Sequence, residues 1–146
     1  MSYEINTPVI ENDEHKEIFY ILPSSDDGLQ SALETLAEFF KKEFRYDHLQ
    51  YCKYDENSDC IGFLISERAM DLVKDIDHHP YRIVGGGCFR VTQSGDYVLD
   101  WIWFHPFSRN RGKLKKVWPE FKQKFGKFTV TEPLSSHMKS FLDKHA

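Results

Sequence analysis

The sequence predicts a mixed α/β domain, and three observations carry that prediction. Runs rich in β-branched and aromatic residues, such as EIFYILP (17–23), YRIVGGGCFRV (81–91) and YVLDWIWF (97–104), alternate with segments of helical periodicity. The two longest runs are joined by little more than QSGD, a turn that makes them antiparallel neighbours. Near the carboxyl end a helical segment separates YVLDWIWF from FTVT (128–131), and such a crossover makes its two strands parallel. The expected core is a mostly antiparallel sheet with one parallel pair, flanked by helices.

Taken in order, residues 1–15 read as a loose arm. EIFYILP is a strand stopped by Pro23. SSDDG supplies N-caps for an amphipathic helix of roughly 27–43, with Leu29, Leu33, Leu36, Phe40 and Phe44 at helical spacing. HLQYCKYDENSDCIGFLIS reads as two short strands, 49–54 and 60–65, around the polar DENSD turn. Ser66 is then placed to cap a second helix, 66–77, with a stripe of Ala69, Leu72, Val73 and Ile76, and DHHP ends it. In the strand 81–91, Gly85 to Gly87 imply a bulge or a close approach of backbones. Alternation in the strand 97–104 groups Asp100 with Val98, Ile102 and Phe104, opposite Leu99, Trp101 and Trp103. Leu114, Val117, Trp118, Phe121 and Phe125 then share a helical face that ends at Gly126, and Pro119 removes one hydrogen bond from that helix. Pro133 is expected to start a final helix with Leu134, Met138, Phe141 and Leu142 inward.

Length and composition set the bounds. The 146 residues suit one domain with a real core, and 12 Phe with 7 Tyr argue against disorder. A net charge of −4 argues against general nucleic-acid binding. The acidic opening MSYEINTPVIENDEHKE lacks an apolar core, so no signal peptide is expected, nor is any membrane span. Cys52, Cys60 and Cys88 are odd in number and lack CxxC spacing, which fits a reduced, cytoplasmic protein. His78-His79 has no second pair at ligand spacing, so no metal site is expected.

The stretch HPFSRNRGKL (105–114) carries the chemistry. A strand ends at Phe104, and a short turn leads to a helix opening near Arg111 or Gly112. The first N–H groups of a helix lack internal partners, and the macrodipole adds about half a positive charge there. A glycine lets a ligand approach the backbone, and Arg109, Arg111, Lys113 and Lys115 raise the potential. These features describe a socket for a diphosphate.

Arg109-Asn110-Arg111-Gly112-Lys113-Leu114, with His105-Pro106 ahead of it, resembles the acetyl-CoA signature of the GCN5-related N-acetyltransferases (GNAT), Arg/Gln-x-x-Gly-x-Gly/Ala after a strand. The likeness covers the order of elements over 81–145. It implies a GNAT-like acyl-CoA N-acyltransferase fold whose parallel strands splay apart, with pantetheine between them. On that resemblance Ile102, Trp103 and Phe104 line the pantetheine arm, and Arg109, Asn110, Arg111, Gly112, Lys113 and Leu114 form the pyrophosphate loop. The implied cofactor is acetyl-CoA, the implied acceptor is a primary amine on a small molecule or protein, and the implied reaction is direct attack on the thioester.

The departures from the pattern are specific. Leu114 stands where the family has a small residue, and Leu142 stands where many relatives carry a tyrosine that protonates the thiolate. Ser135, Ser136 or His137 are candidate substitutes, or simply residues of a helix start. The segment 49–77 matches no family element, and the usual closing strands are absent from the sequence. A non-catalytic CoA-binding or protein-interaction module is therefore the alternative expectation. For a base, Asp100 is a candidate, with pairing to Arg82 or Arg90 across the hairpin as the other reading. Glu67 is a second candidate, or a first-turn acid stabilised by a helix dipole.

Overall fold

The computed structural model describes residues 8–11, 17–53, 59–74, 80–109, 112–131 and 136–145. Six strands among them form one sheet: β1 (Val9–Glu11), β2 (Ile18–Ile21), β3 (Cys60–Arg68), β4 (Pro80–Val91), β5 (Tyr97–Phe104) and β6 (Thr129–Val130). Three helices flank it: α1 (Asp27–Phe44), α2 (Lys113–Phe125) and α3 (Ser136–His145). The strands run β2-β3-β4-β5-β6, all antiparallel except β5 with β6, as the hairpin and the crossover dictate. This is the mixed sheet with a single parallel pair that the resemblance implies.

The strand β4 is the organiser. β3 follows it along one edge, while the other edge is shared by two strands. β5 pairs there from Val91 back to Gly85, and β1 takes over at Arg82, Tyr81 and Pro80. The residues read as a loose arm therefore include a short strand, because β5 leaves that part of the β4 edge open.

The glycines of β4 serve the close approach of backbones and are themselves paired in register on both sides, so none of them forms a bulge. A Cβ on Gly86 would lie 2.6 Å from the Phe63 carbonyl oxygen, and one on Gly87 would collide with the carbonyl oxygen of Trp101. Bulges flank them: Val84 is an extra residue against β3, and Asp100 is an extra residue against β4. The second bulge corrects the alternation expected for β5. Leu99 packs on one face of the sheet and Trp101 and Trp103 on the other, while Ile102 and Phe104 rejoin the face of Leu99.

The sheet separates two cores. On one side α1 buries Leu33, Leu36 and Ala37 against Ile21, Leu64, Ile83, Trp101 and Trp103. On the other, α2 and α3 cover Phe63, Val84, Phe89 and Leu99 with Val117, Trp118, Phe121, Phe125 and Met138. The second core is aromatic. Phe89 stacks on Phe125 at 4.0 Å and meets Phe121 edge-on at 5.1 Å, and Trp118 meets Phe141 edge-on at 4.9 Å. Such pairs add about 0.5–1.5 kcal/mol each beyond the area they bury.

Two further expectations fail. Residues 49–53 form no strand, and 54–58 lie outside the described residues. The helix expected from Ser66 is instead a continuation of β3, because Ser66, Glu67 and Arg68 pair with Ile83, Arg82 and Tyr81. Only a 3-10 turn at Met70–Leu72 follows, and 75–79 lie outside the described residues. Ser66 is buried with its N–H donated to Glu17 O at 2.9 Å, so a ladder bond took the place of a cap. The start expected at Pro133 likewise falls outside the described residues, and α3 is described from Ser136. All three cysteines are free thiols. Among the described residues no helix is long and apolar enough to cross a membrane, and no cluster is suited to hold a metal.

Candidate functional site

The parallel pair is short, and that shortness makes the site. β6 faces β5 only at Val98–Thr129 and Leu99–Val130, with a last bond from Thr131 N to Leu99 O at 3.0 Å. From Ile102 onward β5 has β4 on one side and, among the described residues, no strand on the other. A cavity of about 560 Å³ fills this position. Its walls are Ile102, Trp103 and Phe104 from β5, Gly112 to Lys115 from α2, and Met138, Ser140, Phe141 and Lys144 from α3, with Glu43 and Phe44 at the end of α1.

The loop between β5 and α2 is built locally. His105 N donates to Val84 O at 2.8 Å and so closes the hairpin ladder. Pro106–Ser108 then make a 3-10 turn, with Ser108 N donating to His105 O at 2.8 Å. Gly112 caps α2 in the left-handed conformation, φ 76°, where a Cβ would be strained. Among the described residues, its chain neighbours aside, nothing lies within 4 Å of where that Cβ would stand. The first bond of α2 runs from Lys116 N to Gly112 O, and no side chain caps the helix. The N–H groups of Lys113, Leu114 and Lys115 thus have no acceptor within the helix, as helix geometry requires.

Charge around the cavity divides into paired and unpaired cations. Arg109 is held: Nη2 donates to Glu43 Oε1 at 2.6 Å, and Nε donates to the Phe104 carbonyl at 2.9 Å. Its guanidinium lies 5.8 Å from the centre of the Trp103 ring, and Trp103 Nε1 donates to the same Glu43 oxygen at 3.1 Å. Lys113 is tied to Glu67 at 3.1 Å. Lys115 and Lys144 form no ion pair with any described residue. Asn110 and Arg111 lie outside the described residues.

The two candidate bases fall in different places. Asp100, the bulge residue, accepts from Arg90 Nε at 2.8 Å, the cross-hairpin partner that sequence weighed against a catalytic role. Arg90 also reaches Asp59 and the Gln50 carbonyl, and none of these residues lines the cavity. Glu67 sits on β3 rather than in the first turn of a helix, so the dipole reading does not apply. It touches the cavity wall through Lys113.

Sequence reasoning did not identify Glu43, Phe44, Ser108, Met138, Ser140 or Lys144 as cavity residues. For Glu43 and Phe44 the signal was absent, since nothing in their helical spacing says that the end of α1 reaches β5. Ser140 and Lys144 share a helical face at i, i+4, a relation visible in the sequence once α3 is known to close the cavity. Leu142 packs against the core beneath α2 and is not a cavity residue.

No family model and no curated protein matches this chain. Among solved structures it is similar to a ribosomal-protein-alanine N-acetyltransferase from Brucella melitensis biovar Abortus 2308, at 15% identity and a TM-score of 0.48, covering 88% of this chain and 89% of that one. It is also similar to an aminoglycoside acetyltransferase from an uncultured soil metagenomic sample. In complex with sisomicin that protein matches at 14% identity and a TM-score of 0.49, over 87% of this chain and 84% of that one. In complex with trehalose the values are 12% and 0.47, over 88% and 83%.

Proposed function

We propose that this chain is a GNAT-like N-acetyltransferase that binds acetyl-CoA in the cavity beside the free half of β5 and passes the acetyl group to a primary amine. The observation that carries the reading is the coincidence of two features. The parallel pair ends at Leu99 and Val130, and the uncapped amino end of α2 opens on the cavity so created. A 560 Å³ volume falls within the range of small-molecule and cofactor sites. The space above Gly112, the helix-end amides and the basic walls suit a diphosphate. In this reading Arg109 shapes the loop through Glu43 and Phe104, and the free positive charge comes from Lys115 and Lys144. Leu114 lines the cavity where a small residue was expected and narrows it there.

The cofactor supplies an acetyl thioester. The free edge of β5 at Ile102–Phe104 is the source of a backbone donor toward the carbonyl oxygen, where charge develops as the amine attacks. A carbon–nitrogen bond forms, the carbon–sulfur bond breaks, and the proton shed by the amine goes to solvent or to a carboxylate. Glu67 is the proposed carboxylate, since it meets the cavity wall through Lys113. Asp100, held by Arg90, is proposed to keep its charge as a structural partner. Ser140 is the α3 hydroxyl on the cavity wall and takes the place of the absent phenol as donor to the departing thiolate.

Thermal melting with CoA and acetyl-CoA tests the socket. A ligand at about 100 times its Kd stabilises by about 2.7 kcal/mol, a shift of several degrees for a domain of this size. Thiol release from acetyl-CoA across a panel of amines then tests turnover. Melting that does not move at millimolar ligand removes the proposal. A shift without thiol release on any amine leaves the binding module in its place.

A further inference from the structure

We infer that Ser108 is a phosphate-contacting residue of the cavity, an assignment that rests on the proposed diphosphate site and adds a ligand the signature does not contain. Only two polar residues are buried among the described residues, Ser66 at 2% exposure and Ser108 at 7%. Their hydroxyls differ in kind. Ser66 Oγ donates to Glu17 O at 3.5 Å. The Ser108 hydroxyl forms no hydrogen bond with any described residue, although its N–H is committed to His105 O. Buried polar groups are paired as a rule, because leaving one unpaired costs its lost hydration.

Space and charge around Ser108 identify the missing partner. Its oxygen is not among the buried atoms sealed away without a partner, and the residue is part of the cavity wall. The hydroxyl is therefore within reach of solvent on a residue of the cavity wall. The same wall carries the amino end of α2, with three N–H groups lacking helical acceptors, and the side chains of Lys113, Lys115 and Lys144. Donors and positive charge belong to the same wall, and the two bonds to the Glu43 carboxylate, from Arg109 and Trp103, both fall on Oε1. A hydroxyl there needs an acceptor, and the acceptor that also answers the cations and the helix end is an anionic oxygen of a phosphate or diphosphate. The donated bond is charge-assisted, so its loss is expected to weaken binding about tenfold.

The test compares wild type with Ser108→Ala by calorimetric titration of CoA, of pantetheine, which lacks the diphosphate, and of inorganic pyrophosphate alone. The expected result is a loss of about tenfold for CoA and pyrophosphate. Pantetheine binding and the melting temperature of the free protein should stay unchanged, since the hydroxyl has no internal bond to lose. Equal CoA affinity in the two proteins overturns the inference while leaving the proposed function standing. A melting temperature that falls together with affinity assigns Ser108 a structural role and also overturns it. Pyrophosphate binding that depends on Ser108, without binding of CoA, upholds the inference and removes the acetyltransferase reading. Binding of none of the three by wild type removes both.

Discussion

The two halves of β5 have the same neighbour on one side and opposite circumstances on the other. At Val98 and Leu99 the strand lies between β4 and β6, and its edge is consumed by pairing. From Ile102 to Phe104 the outer edge faces the cavity, and its last carbonyl is taken by a side chain, Arg109. Between them stands the Asp100 bulge, fixed by Arg90. One strand thus does structural duty at one end and presents unpaired backbone at the other. A ligand edge needs no special sequence, only a neighbour that stops early.

The sharpest way to break the comparison is to remove the close approach that seats the open half. A Cβ at Gly87 would collide with the Trp101 carbonyl oxygen and come within 2.9 Å of the Phe63 ring. Gly87→Val is expected to destabilise the fold by about 3 kcal/mol, seen as a lower denaturation midpoint in urea. A midpoint equal to wild type would show that β4 and β5 do not approach as described.

Gly112→Asp is expected to act on the open half alone. It puts a negative charge and a Cβ into the empty space at the helix end, in a backbone conformation that side chains rarely adopt. A loss of about 100-fold in CoA affinity is expected, from like-charge repulsion and blocked access, with circular dichroism unchanged. Retained affinity would take the α2 end out of the site.

Asp100→Asn gives the smallest effect and addresses the closed half. Replacing the carboxylate weakens a partly buried bond to Arg90, and a loss of about 1–2 kcal/mol is expected in thermal melting. CoA affinity should be unchanged. If thiol release instead collapsed while stability held, Asp100 would be the base and the assignment of Glu67 would fall.

Local signals in the sequence were sufficient where one periodicity ran unbroken. The 18-residue α1, the 12-residue β4 and the hairpin to β5 are long enough for pattern and turn chemistry to agree. Reading failed where a single residue altered the phase or a distant partner decided. The bulge at Asp100 is invisible to alternation, because an extra residue shows only against the strand it faces. Ser66 looks like a cap until Glu17, 49 residues earlier, supplies the acceptor for its hydroxyl. For the site, the loop from Arg109 to Leu114 was legible as chemistry, whereas the ion pair that holds Arg109 joins residues 66 positions apart. Ser108 was overlooked for another reason: its interest lies in the bond it does not make, which only packing reveals.

The extra residue in β5 also sets a parity. Because of it, Ile102 and Phe104 point toward the α2 side while Trp103 points under α1, where Phe39 stacks on it at 5.1 Å. A strand of the same length with Asp100 in register would exchange those roles, bringing an indole to the cleft and an isoleucine against the first helix. Whatever enters the cleft is thus met by Ile102 and Phe104 because Asp100, two residues upstream, stands outside the ladder with β4, and its removal would leave those faces as they are.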